Sequence, residues 1–493
     1  MFDAHEELSA DVRTRFFIRG QWDAPTSSKH TPIIDPTTEE VVLEVPLASP
    51  EDAECAILAA RAAFDRGPWP LMQGHERGAV LAKLADALSR RAPLLARLWT
   101  AQVGMPINLA TRLIGTGIQR LRYYAELADV FEFETVRPLA GGTARVRKEP
   151  AGVALLIVPW NAPFPILCQK LGAALAAGCT CIVKPSPESP LDTLVLAECA
   201  KEVGLPPGVL NVLNADAQES AQLVSSPAVD KVSFTGSLAT GRQIAVACAE
   251  NMTRLTLELG GKSAAILLED ADLPTAFDAL MPFAMPFSGQ ICFSQSRILV
   301  PRQRLDQAAG ALKARLEALP MGDPWEPQTE VGPVLNARQA NRVLSYIASG
   351  RSDGAEILTG GGRSARFQRG HYIEPTLFIS VTSDMAIARE EIFGPVLTVQ
   401  PYDSIDEAVE IANAPQMGLS GSVYSNDPER AYSVACRIRT GQVGVNGLQL
   451  DPSVPFGGYK RSGIGREGGP EGLEAFLEIK SVFMPKQEMR DVA

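Results

Sequence analysis

The sequence predicts an α/β protein built around a parallel β-sheet that helices cover on both faces. From Ala151 onward, near-continuous apolar runs such as Val153–Val158 and Cys179–Val183 alternate with amphipathic helical segments, and this alternation is typical of buried parallel strands. The chain has 493 residues, of which 46% are apolar and 21% charged, and this length suffices for two or three domains with large cores. We therefore expect parallel βαβ units.

Before Ala151 the chain is expected to be mostly helical. Residues 1–50 predict a lead-in of short strands, with alternation over Phe16–Trp22. Ser49 and Pro50 then form a helix start, an N-cap serine followed by proline at the first helical position. The helical segments that follow are Ala53–Arg66, Gly74–Arg91, Ala92–Val103 and Ala110–Leu127. Residues 134–149 alternate but are too polar for a core strand, which predicts an exposed hairpin.

The elements after Ala151 place several loops at one edge of the sheet. In order, the predicted elements are strand Val153–Val158, helix Phe164–Ala177, strand Cys179–Val183, helix Leu191–Val203, strand Val209–Val212, strand Lys231–Phe234, helix Thr240–Glu250, strand Leu255–Leu257, strand Ala264–Leu268, helix Leu273–Phe283, strand Arg297–Val300 and helix Leu305–Leu319. The alternating tail Glu478–Met484 predicts an edge strand. Because ligands of parallel sheets bind beyond the carboxyl ends of the strands, the loops Pro159–Pro163, Lys184–Pro190 and Thr235–Ser237 indicate the binding edge.

Composition and charge argue against several classes of protein. A net charge of −11 without any basic patch disfavours binding to nucleic acid or to an anionic membrane. The acidic opening residues lack the apolar core of a secretory signal, and the longest apolar run, around Leu171–Val183, is too short to span a bilayer. Eight cysteines without a regular framework predict a reduced, cytoplasmic protein. Scattered histidines and the absence of a C-x-x-C unit predict no metal site.

Cys292 is the first candidate for chemistry. It lies in Ser288-Gly-Gln-Ile-Cys-Phe293, where a tight glycine-bearing segment can expose the thiol and direct backbone N–H groups at the atom that the sulfur attacks. The alternative is a cysteine that simply packs in the core, because free cysteine is among the most buried residue types. The residues alone leave both interpretations open.

Candidate partners for Cys292 stand at predicted strand ends. Glu258 follows the strand Leu255–Leu257, where a desolvated carboxylate is a plausible general base and a salt-bridged strand end is the alternative. Asn161, in a proline-rich loop, either donates an amide N–H to an oxyanion or is a turn residue. No G-x-G-x-x-G follows a strand, but Ser237 in Thr-Gly-Ser either binds a pyrophosphate or caps the next helix. Lys184 either bonds a ribose or is a solvated charge.

Together these features resemble the aldehyde dehydrogenase superfamily along essentially the whole chain. The motifs that carry the resemblance occur in the order that the family has, and they are Pro159-Trp-Asn-Ala-Pro-Phe164, Lys184-Pro-Ser186, Phe234-Thr-Gly-Ser237, Leu257-Glu-Leu-Gly-Gly-Lys262, Gly289-Gln-Ile-Cys292, Glu390-Glu-Ile-Phe-Gly-Pro395 and Pro455-Phe-Gly-Gly-Tyr-Lys-Arg-Ser-Gly463. The resemblance implies a Rossmann-like parallel-sheet cofactor domain, an α/β catalytic domain and a small β oligomerisation arm. The expected boundaries are 1–133 and 150–259 for the NAD(P)-binding domain, 260–463 for the catalytic domain, and 134–149 and 478–493 for the arm.

The resemblance also implies an activity, the NAD(P)-dependent oxidation of an aldehyde to a carboxylic acid with water. Cys292 is then the nucleophile that forms a thiohemiacetal and a thioester, Asn161 holds the oxyanion, and Glu258 activates the hydrolytic water. Lys170 and Glu478 stand where the family has a proton-relay pair. A homodimer or homotetramer is expected. The alternatives are an acylating dehydrogenase that passes the acyl group to coenzyme A, which the presence of Glu258 disfavours, and a non-catalytic member of the fold.

Cofactor contacts are implied in the same way, with NAD expected and NADP possible. Lys184 is expected at the adenosine ribose, Ser237 at the pyrophosphate and Glu391 at the nicotinamide ribose. The full set of expected cofactor-binding residues is Val158, Pro159, Trp160, Lys184, Ser186, Glu188, Phe234, Gly236, Ser237, Leu259, Gly260, Glu391 and Phe393.

Departures from the family pattern concern specificity. The family often has Glu three residues after the ribose lysine, but this chain has Pro187 there and Glu188 next, which leaves NADP open. Phe287 replaces a common Asn, and Val443-Gly-Val-Asn446 lacks a tryptophan, so an aromatic wall is lost. The residues expected to line the substrate tunnel are apolar: Ala162, Phe287, Ile291, Phe293 and Leu450. A hydrophobic aldehyde, aliphatic or aromatic, is therefore expected over a charged semialdehyde.

Overall fold

The computed structural model describes residues 2–485, which contain the predicted alternation of strands and helices. The strands are β1 (Phe16–Ile18), β2 (Gln21–Asp23), β3 (His30–Ile34), β4 (Val41–Pro46), β5 (Glu134–Leu139), β6 (Gly142–Pro150), β7 (Val153–Ile157), β8 (Thr180–Lys184), β9 (Leu210–Val212), β10 (Lys231–Thr235), β11 (Arg254–Glu258), β12 (Ala264–Leu267), β13 (Arg297–Pro301), β14 (Glu356–Thr359), β15 (Thr376–Ile379), β16 (Val396–Tyr402), β17 (Met417–Gly418), β18 (Gly421–Tyr424), β19 (Gly444–Val445), β20 (Tyr459–Lys460), β21 (Gly463–Ile464) and β22 (Leu477–Pro485). The helices are α1 (Ala4–Glu7), α2 (Ala10–Thr14), α3 (Pro50–Arg66), α4 (Gly74–Arg90), α5 (Ala92–Val103), α6 (Ile107–Val130), α7 (Pro163–Ala177), α8 (Leu191–Glu202), α9 (Ala217–Ser225), α10 (Leu238–Asn251), α11 (Leu273–Ala284), α12 (Leu305–Ala318), α13 (Ala337–Ser352), α14 (Ala386–Arg389), α15 (Ile405–Asn413), α16 (Pro428–Ala435) and α17 (Gly469–Glu474).

Two large sheets organise the molecule. The first has the strand order β2-β1-β9-β8-β7-β10-β11-β21. Its five central strands, β9, β8, β7, β10 and β11, run parallel. The second has the order β14-β15-β16-β13-β12-β18-β19 and is parallel except for the pair β14 and β15. Helices connect the parallel strands in both sheets, so the architecture is the predicted α/β class.

Strand β7 shows why the apolar runs are continuous. Val153, Leu155 and Ile157 contact the core on one face of the first sheet, which includes residues of α3 and α10. Ala154 and Leu156 belong to the core on the opposite face, with residues of α4, α6 and α7. Because successive side chains of a strand point to opposite faces, burial on both faces requires an apolar residue at every position.

A third sheet, of strand order β22-β6-β5, is antiparallel and largely exposed. Its hairpin β5–β6 is the one predicted over residues 134–149, and β22 is the predicted edge strand, paired with β6 from Leu477 to Pro485. Ile479 and Phe483 are each 70% exposed, which is unusual for large apolar side chains. The segment 478–493 expected in the oligomerisation arm is described only to Pro485, and residues 486–493 lie outside the described part of the chain.

The lead-in of short strands is only partly correct. Two short helices, α1 and α2, precede the strands, because the side chains of Asp3 and Ser9 cap their first turns. The alternating stretch Phe16–Trp22 is a hairpin, since the left-handed Arg19 and Gly20 turn the chain between β1 and β2. Helix α9, which was not predicted, follows Asp216 as N-cap.

The expected domain boundaries remain a prediction. Strand β21, which follows the second sheet in sequence, pairs with β11 at the edge of the first sheet, so the chain crosses between the two sheets near its end. Among the residues from 2 to 485, none of the helices has both the length and the apolarity that a membrane span requires.

Candidate active site

The carboxyl ends of β7, β8, β10 and β11 open onto one cleft of about 1100 Å³. Its opposite wall comes from α13 and from the segment 389–393. Cys292, Glu258 and Asn161 all line this cleft. So does every residue expected to contact the cofactor, namely Val158, Pro159, Trp160, Lys184, Ser186, Glu188, Phe234, Gly236, Ser237, Leu259, Gly260, Glu391 and Phe393.

The turn before Cys292 adopts an uncommon backbone conformation. Phe287, Ser288 and Gly289 are consecutive left-handed residues, with φ of 48°, 54° and 74°. Non-glycine residues in this region are strained by about 1–3 kcal/mol each, so the surroundings must hold them there. Ser288 Oγ donates to Gly332 O at 2.8 Å, and a side chain at Gly289 would collide with the Gly394 carbonyl. The tight segment anticipated from sequence is therefore present, and it leads directly to Cys292.

Cys292 lies half-buried at the end of this turn and does not pack in the core. Burial, together with the nearby carboxylates Glu391 and Glu258, raises the pKa of its thiol to about 12. Two backbone N–H groups, those of Cys292 and Phe293, lower this pKa by pointing at the sulfur. A bound group that neutralises these two carboxylates, or that moves them away from the sulfur, would therefore lower the pKa of Cys292 and favour the reactive thiolate.

Glu258 ends β11 inside the cleft and is almost fully buried. Burial raises its pKa well above the ordinary value, and the charge of Glu467 adds to this effect. Within residues 2–485, neither carboxylate oxygen has a hydrogen-bond partner. Only glycine fits at position 457, since a Cβ there would lie 2.6 Å from Glu258 Oε1. The salt-bridged alternative for Glu258 is thus excluded among the described residues, and the carboxylate is available to accept a proton.

Asn161 is buried and fixed from two sides. Its Nδ2 donates to Gln290 O at 2.8 Å, and its own carbonyl accepts from Trp99 Nε1 at 3.1 Å. Gln290 is two residues before Cys292, so the amide is anchored to the segment that carries the sulfur. One of the two N–H groups of the Asn161 amide remains for another acceptor in the cleft.

The carboxylate partner of Lys170 is Glu467, and not Glu478 as expected. Lys170 Nζ forms a buried ion pair with Glu467 and donates to Ser233 Oγ at 2.8 Å, and Ser233 Oγ donates to Glu467 at 3.1 Å. Glu478 lies on the exposed β22 and pairs with Arg254. Sequence reasoning missed Glu467, although a lone carboxylate inside the glycine-rich loop Phe456–Gly469 was the signal that could have revealed it.

The residues expected to bind the cofactor are of two kinds, a helix N-terminus at Ser237 and the ionisable side chains of Lys184 and Glu391. Ser237 is the N-cap of α10, whose side chain accepts from Thr240 N, and Gly236 N donates to Glu258 O at 3.0 Å. This helix N-terminus fits a pyrophosphate. Burial lowers the pKa of Lys184 to about 8, while burial raises the pKa of Glu391 to about 7. These donors and acceptors, spread along one cleft, fit an extended dinucleotide.

The five residues expected in the substrate tunnel do not line the cleft of Cys292, and most of them belong to the hydrophobic core or pack against it. Phe287 and Ile291 are buried in the large core, and Ala162 and Phe293 pack against the same core. The Phe287 ring lies 6.3 Å from that of Trp160. Leu450 is half-buried in a loop. Arg338 and Arg342 of α13, which also line the cleft, were not anticipated, because an exposed helix face carries no motif that marks it as a cleft wall.

Comparison with known proteins identifies the class. The aldehyde dehydrogenase family model matches residues 22–482. The chain is 46% identical over 470 residues to geranial dehydrogenase of Castellaniella defragrans, covering 95% of this chain and 98% of that protein. Two solved structures are also similar. One is a cysteine-to-alanine mutant of aldehyde dehydrogenase C (AldC) from Pseudomonas syringae with NAD+ and octanal, at a TM-score of 0.93 and 39% identity, covering 97% of this chain and 98% of that chain. The other is a Mycobacterium tuberculosis aldehyde dehydrogenase with NAD+, at a TM-score of 0.93 and 42% identity, covering 96% of this chain and 99% of that chain.

The chain belongs to the aldehyde dehydrogenase family. It is therefore an oxidoreductase that acts on aldehydes with a nicotinamide cofactor, and NAD is the cofactor present in the similar structures. The resemblance noted in the sequence and the α/β fold class are both confirmed.

Proposed function

We propose that this enzyme oxidises a hydrophobic aldehyde to the carboxylic acid through a covalent intermediate on Cys292, with hydrolytic release. The observation that carries the proposal is the meeting of Cys292, Glu258 and Asn161 in one cleft, with the Glu258 oxygens lacking any partner among residues 2–485. A nucleophile, a base and an amide donor are the groups that acyl transfer through a thioester needs.

Cys292 begins the reaction as a thiolate that forms a bond to the aldehyde carbon. The oxygen then carries the negative charge, which the Asn161 amide and the Cys292 backbone N–H stabilise. NAD, when bound, supplies the hydride acceptor for the oxidation. The product on Cys292 is a thioester. Glu258 removes a proton from a water that attacks this thioester, the carbon–sulfur bond breaks, and the acid leaves.

Glu467, Ser233 and Lys170 support the base. The pKa of Glu258 depends on this cluster, because the Glu467 charge raises it and the Lys170 charge lowers it. Buried groups joined by hydrogen bonds can also pass a proton onward. We infer that the proton taken by Glu258 moves to this cluster, which restores the base for the next turnover.

A hydrophobic substrate is supported by the apolar character of the expected tunnel residues, of which Phe287, Ile291 and Phe293 lie close to Cys292 in the sequence. Ala162, Phe287, Ile291, Phe293 and Leu450 carry no charge, and an apolar wall cannot compensate the desolvation of a charged semialdehyde. The similar proteins include one named for geranial and one bound to octanal, both hydrophobic aldehydes. Incubation with hexanal, benzaldehyde and succinic semialdehyde tests this point. A higher kcat/KM for succinic semialdehyde would contradict it.

Hydrolytic release is tested by the product. With NAD, hexanal and no coenzyme A, we expect hexanoate and NADH in equal amounts. A thioester product that appears only when coenzyme A is added would favour the acylating alternative. The partner-free Glu258 argues against that outcome, because an acylating enzyme has no need of a base that activates water.

We infer that the β5–β6–β22 sheet joins copies of this chain into a homodimer or homotetramer. Its exposed apolar residues include Val136, Leu139, Ile479 and Phe483, and a surface of this kind is usually covered in an assembly. Light scattering should give a mass of two or four chains. A cytoplasmic location fits the eight free cysteines.

A further inference from the structure

Arg120, in the second half of α6, is half-buried and does not line the cleft of about 1100 Å³. Its Nη1 donates to Pro165 O at 2.8 Å, and Pro165 lies in the first turn of α7. The two helices are in close contact there, since a Cβ on Gly117 would lie 2.9 Å from the Phe164 ring. Arg120 is therefore held beside the start of α7, the helix that follows Asn161.

Two nitrogens of the Arg120 guanidinium are available to a ligand. Among residues 2–485, no acceptor bonds to its Nε or Nη2, and neither atom is enclosed by protein. Burial nevertheless lowers the pKa of this side chain. A group that is desolvated by its surroundings and still reaches solvent lies at the wall of a narrow opening. This opening is separate from the cleft, because Arg120 does not line that cleft.

The charge of Arg120 reaches the sulfur of Cys292. Burial lowers the pKa of the guanidinium, and Cys292 is one of four groups whose negative charge opposes that effect. Two carboxyls also act on the sulfur, Glu391 and Glu258, but burial raises the pKa of both. A guanidinium keeps its charge at every pH at which the enzyme works. Because this charge acts on the sulfur, it also acts on a charged substituent of an aldehyde that is bonded to the sulfur.

We propose that Arg120 determines specificity by charge: it disfavours aldehydes with a positively charged substituent, so that the enzyme accepts neutral aldehydes and rejects aminoaldehydes and quaternary ammonium aldehydes. This inference rests on the proposed function, because it assumes attack by Cys292. A cationic substituent near Arg120 loses its hydration and is repelled. An anionic substituent is attracted, but its desolvation by apolar residues acts in the opposite direction, so the discrimination is largest against cations.

Two aldehydes of nearly the same shape and different charge test the proposal. They are tert-butylacetaldehyde and trimethylammonioacetaldehyde, in which a quaternary nitrogen replaces the quaternary carbon. The ratio of their kcat/KM values, neutral over cationic, should be about tenfold smaller in Arg120→Gln than in the wild type. The intrinsic reactivities of the two aldehydes are the same with both proteins. A change in the reactivity of Cys292 affects both aldehydes equally, so it cancels in the ratio.

Arg120→Lys and Arg122→Gln are the controls. Lysine keeps the positive charge, so Arg120→Lys should retain most of the wild-type ratio. Arg122 lies on the same helix but is exposed and pairs with Asp86 at 2.7 Å, so Arg122→Gln should leave the ratio unchanged. An unchanged ratio in Arg120→Gln, or an equal fall of the ratio in Arg120→Lys, would overturn the proposal.

Thiol reagents measure the same charge without any aldehyde. Trimethylammonioethyl methanethiosulfonate and its uncharged tert-butylethyl analogue should modify Cys292 at rates whose ratio shifts by a similar factor in Arg120→Gln, followed by mass spectrometry of the peptides. The exposed Cys436 is the internal reference, and its ratio should be the same in both proteins. A shifted ratio in a protein that oxidises no aldehyde would contradict only the proposed function. An unshifted ratio would contradict the role of Arg120.

Discussion

The two ends of the cleft differ in how far water reaches their charges. At the end that holds Cys292, which we propose is the reacting end, Glu258 is buried and Glu391 is half-buried. Burial raises the pKa of each, to about 7 for Glu391. At the end that holds Lys184, Glu188 and Arg338 are 33% and 75% exposed and paired with each other. A carboxylate is thus shielded from water and without a hydrogen-bond partner among residues 2–485 at one end, in Glu258, and is partly exposed and paired at the other, in Glu188.

This difference sets the size of the effects that substitution should have. A buried carboxylate without partners has a high free energy when charged, so small changes around it alter its protonation and the reaction rate. An exposed ion pair is screened by solvent and contributes about 1 kcal/mol or less. Substitutions at the reacting end should therefore change rates by orders of magnitude, and substitutions at exposed pairs by little.

The largest effect is expected for Cys292→Ala. Without the sulfur no covalent intermediate forms, so NADH production with hexanal should fall by roughly a thousandfold or more. Stopped-flow absorbance should also show no burst of reduced cofactor. Cys436→Ala, which removes an exposed cysteine that does not line the cleft, is the control and should keep full activity. Unchanged NADH production in Cys292→Ala would disprove the proposed mechanism.

Glu258→Gln should separate the two halves of the reaction. Loss of a general base typically costs about 10²–10⁴-fold, so steady-state turnover should fall by that range. The first turnover should persist as a burst of reduced cofactor, because the amide leaves Cys292 in place and only hydrolysis of the thioester needs the base. A burst that disappears together with turnover would place Glu258 in the oxidative half instead.

The position of these two residues could be predicted from the sequence for a definite reason. Glu258 ends a strand and Cys292 follows a glycine-bearing tight segment, and both features are local. The parallel strands could also be predicted from the sequence, because a strand that is buried on both faces has a continuous apolar run such as Val153–Ile157. The short helix α1 could not be predicted, because four residues are too few to show a helical pattern of apolar residues and only the Asp3 N-cap marks its start.

The partner of Lys170 could not be predicted in this way. Lys170 and Glu467 lie 297 residues apart in the sequence. Their contact depends on how the glycine-rich loop Phe456–Gly469 folds onto Ser233 of β10 and onto β11. The family pattern pointed to Glu478 on β22 instead. The structure shows that β22 is exposed from Ile479 onward, so alternation there does not distinguish a buried face.

Lys170→Met and Glu467→Gln should shift the pH profile in opposite directions. Glu258 must be ionised to act as a base, so the deacylation rate falls as pH falls through its pKa. Removing the Lys170 charge takes away a cation that lowers this pKa, so the acid limb should move to higher pH. Removing the Glu467 charge should move the limb to lower pH. Each displacement should be about one pH unit, measured as kcat against pH. Displacement in the same direction would contradict the electrostatic role of the pair.

The smallest effect is expected for Glu478→Gln. Its carboxylate pairs with Arg254 on the surface, with side chains 43% and 56% exposed. Loss of such a pair should change the free energy of unfolding by about 1 kcal/mol or less, read from a denaturant titration. The acid limb of kcat should stay where it is in the wild type, in contrast to Glu467→Gln. Glu478 and Glu467 are both glutamates paired with a basic side chain, and they differ in that Glu467 is buried and Glu478 is not. If Glu478→Gln displaced the acid limb of kcat as Glu467→Gln is expected to do, the proton relay would extend to the β5–β6–β22 sheet. Burial would then not be the property that limits the relay to the cleft.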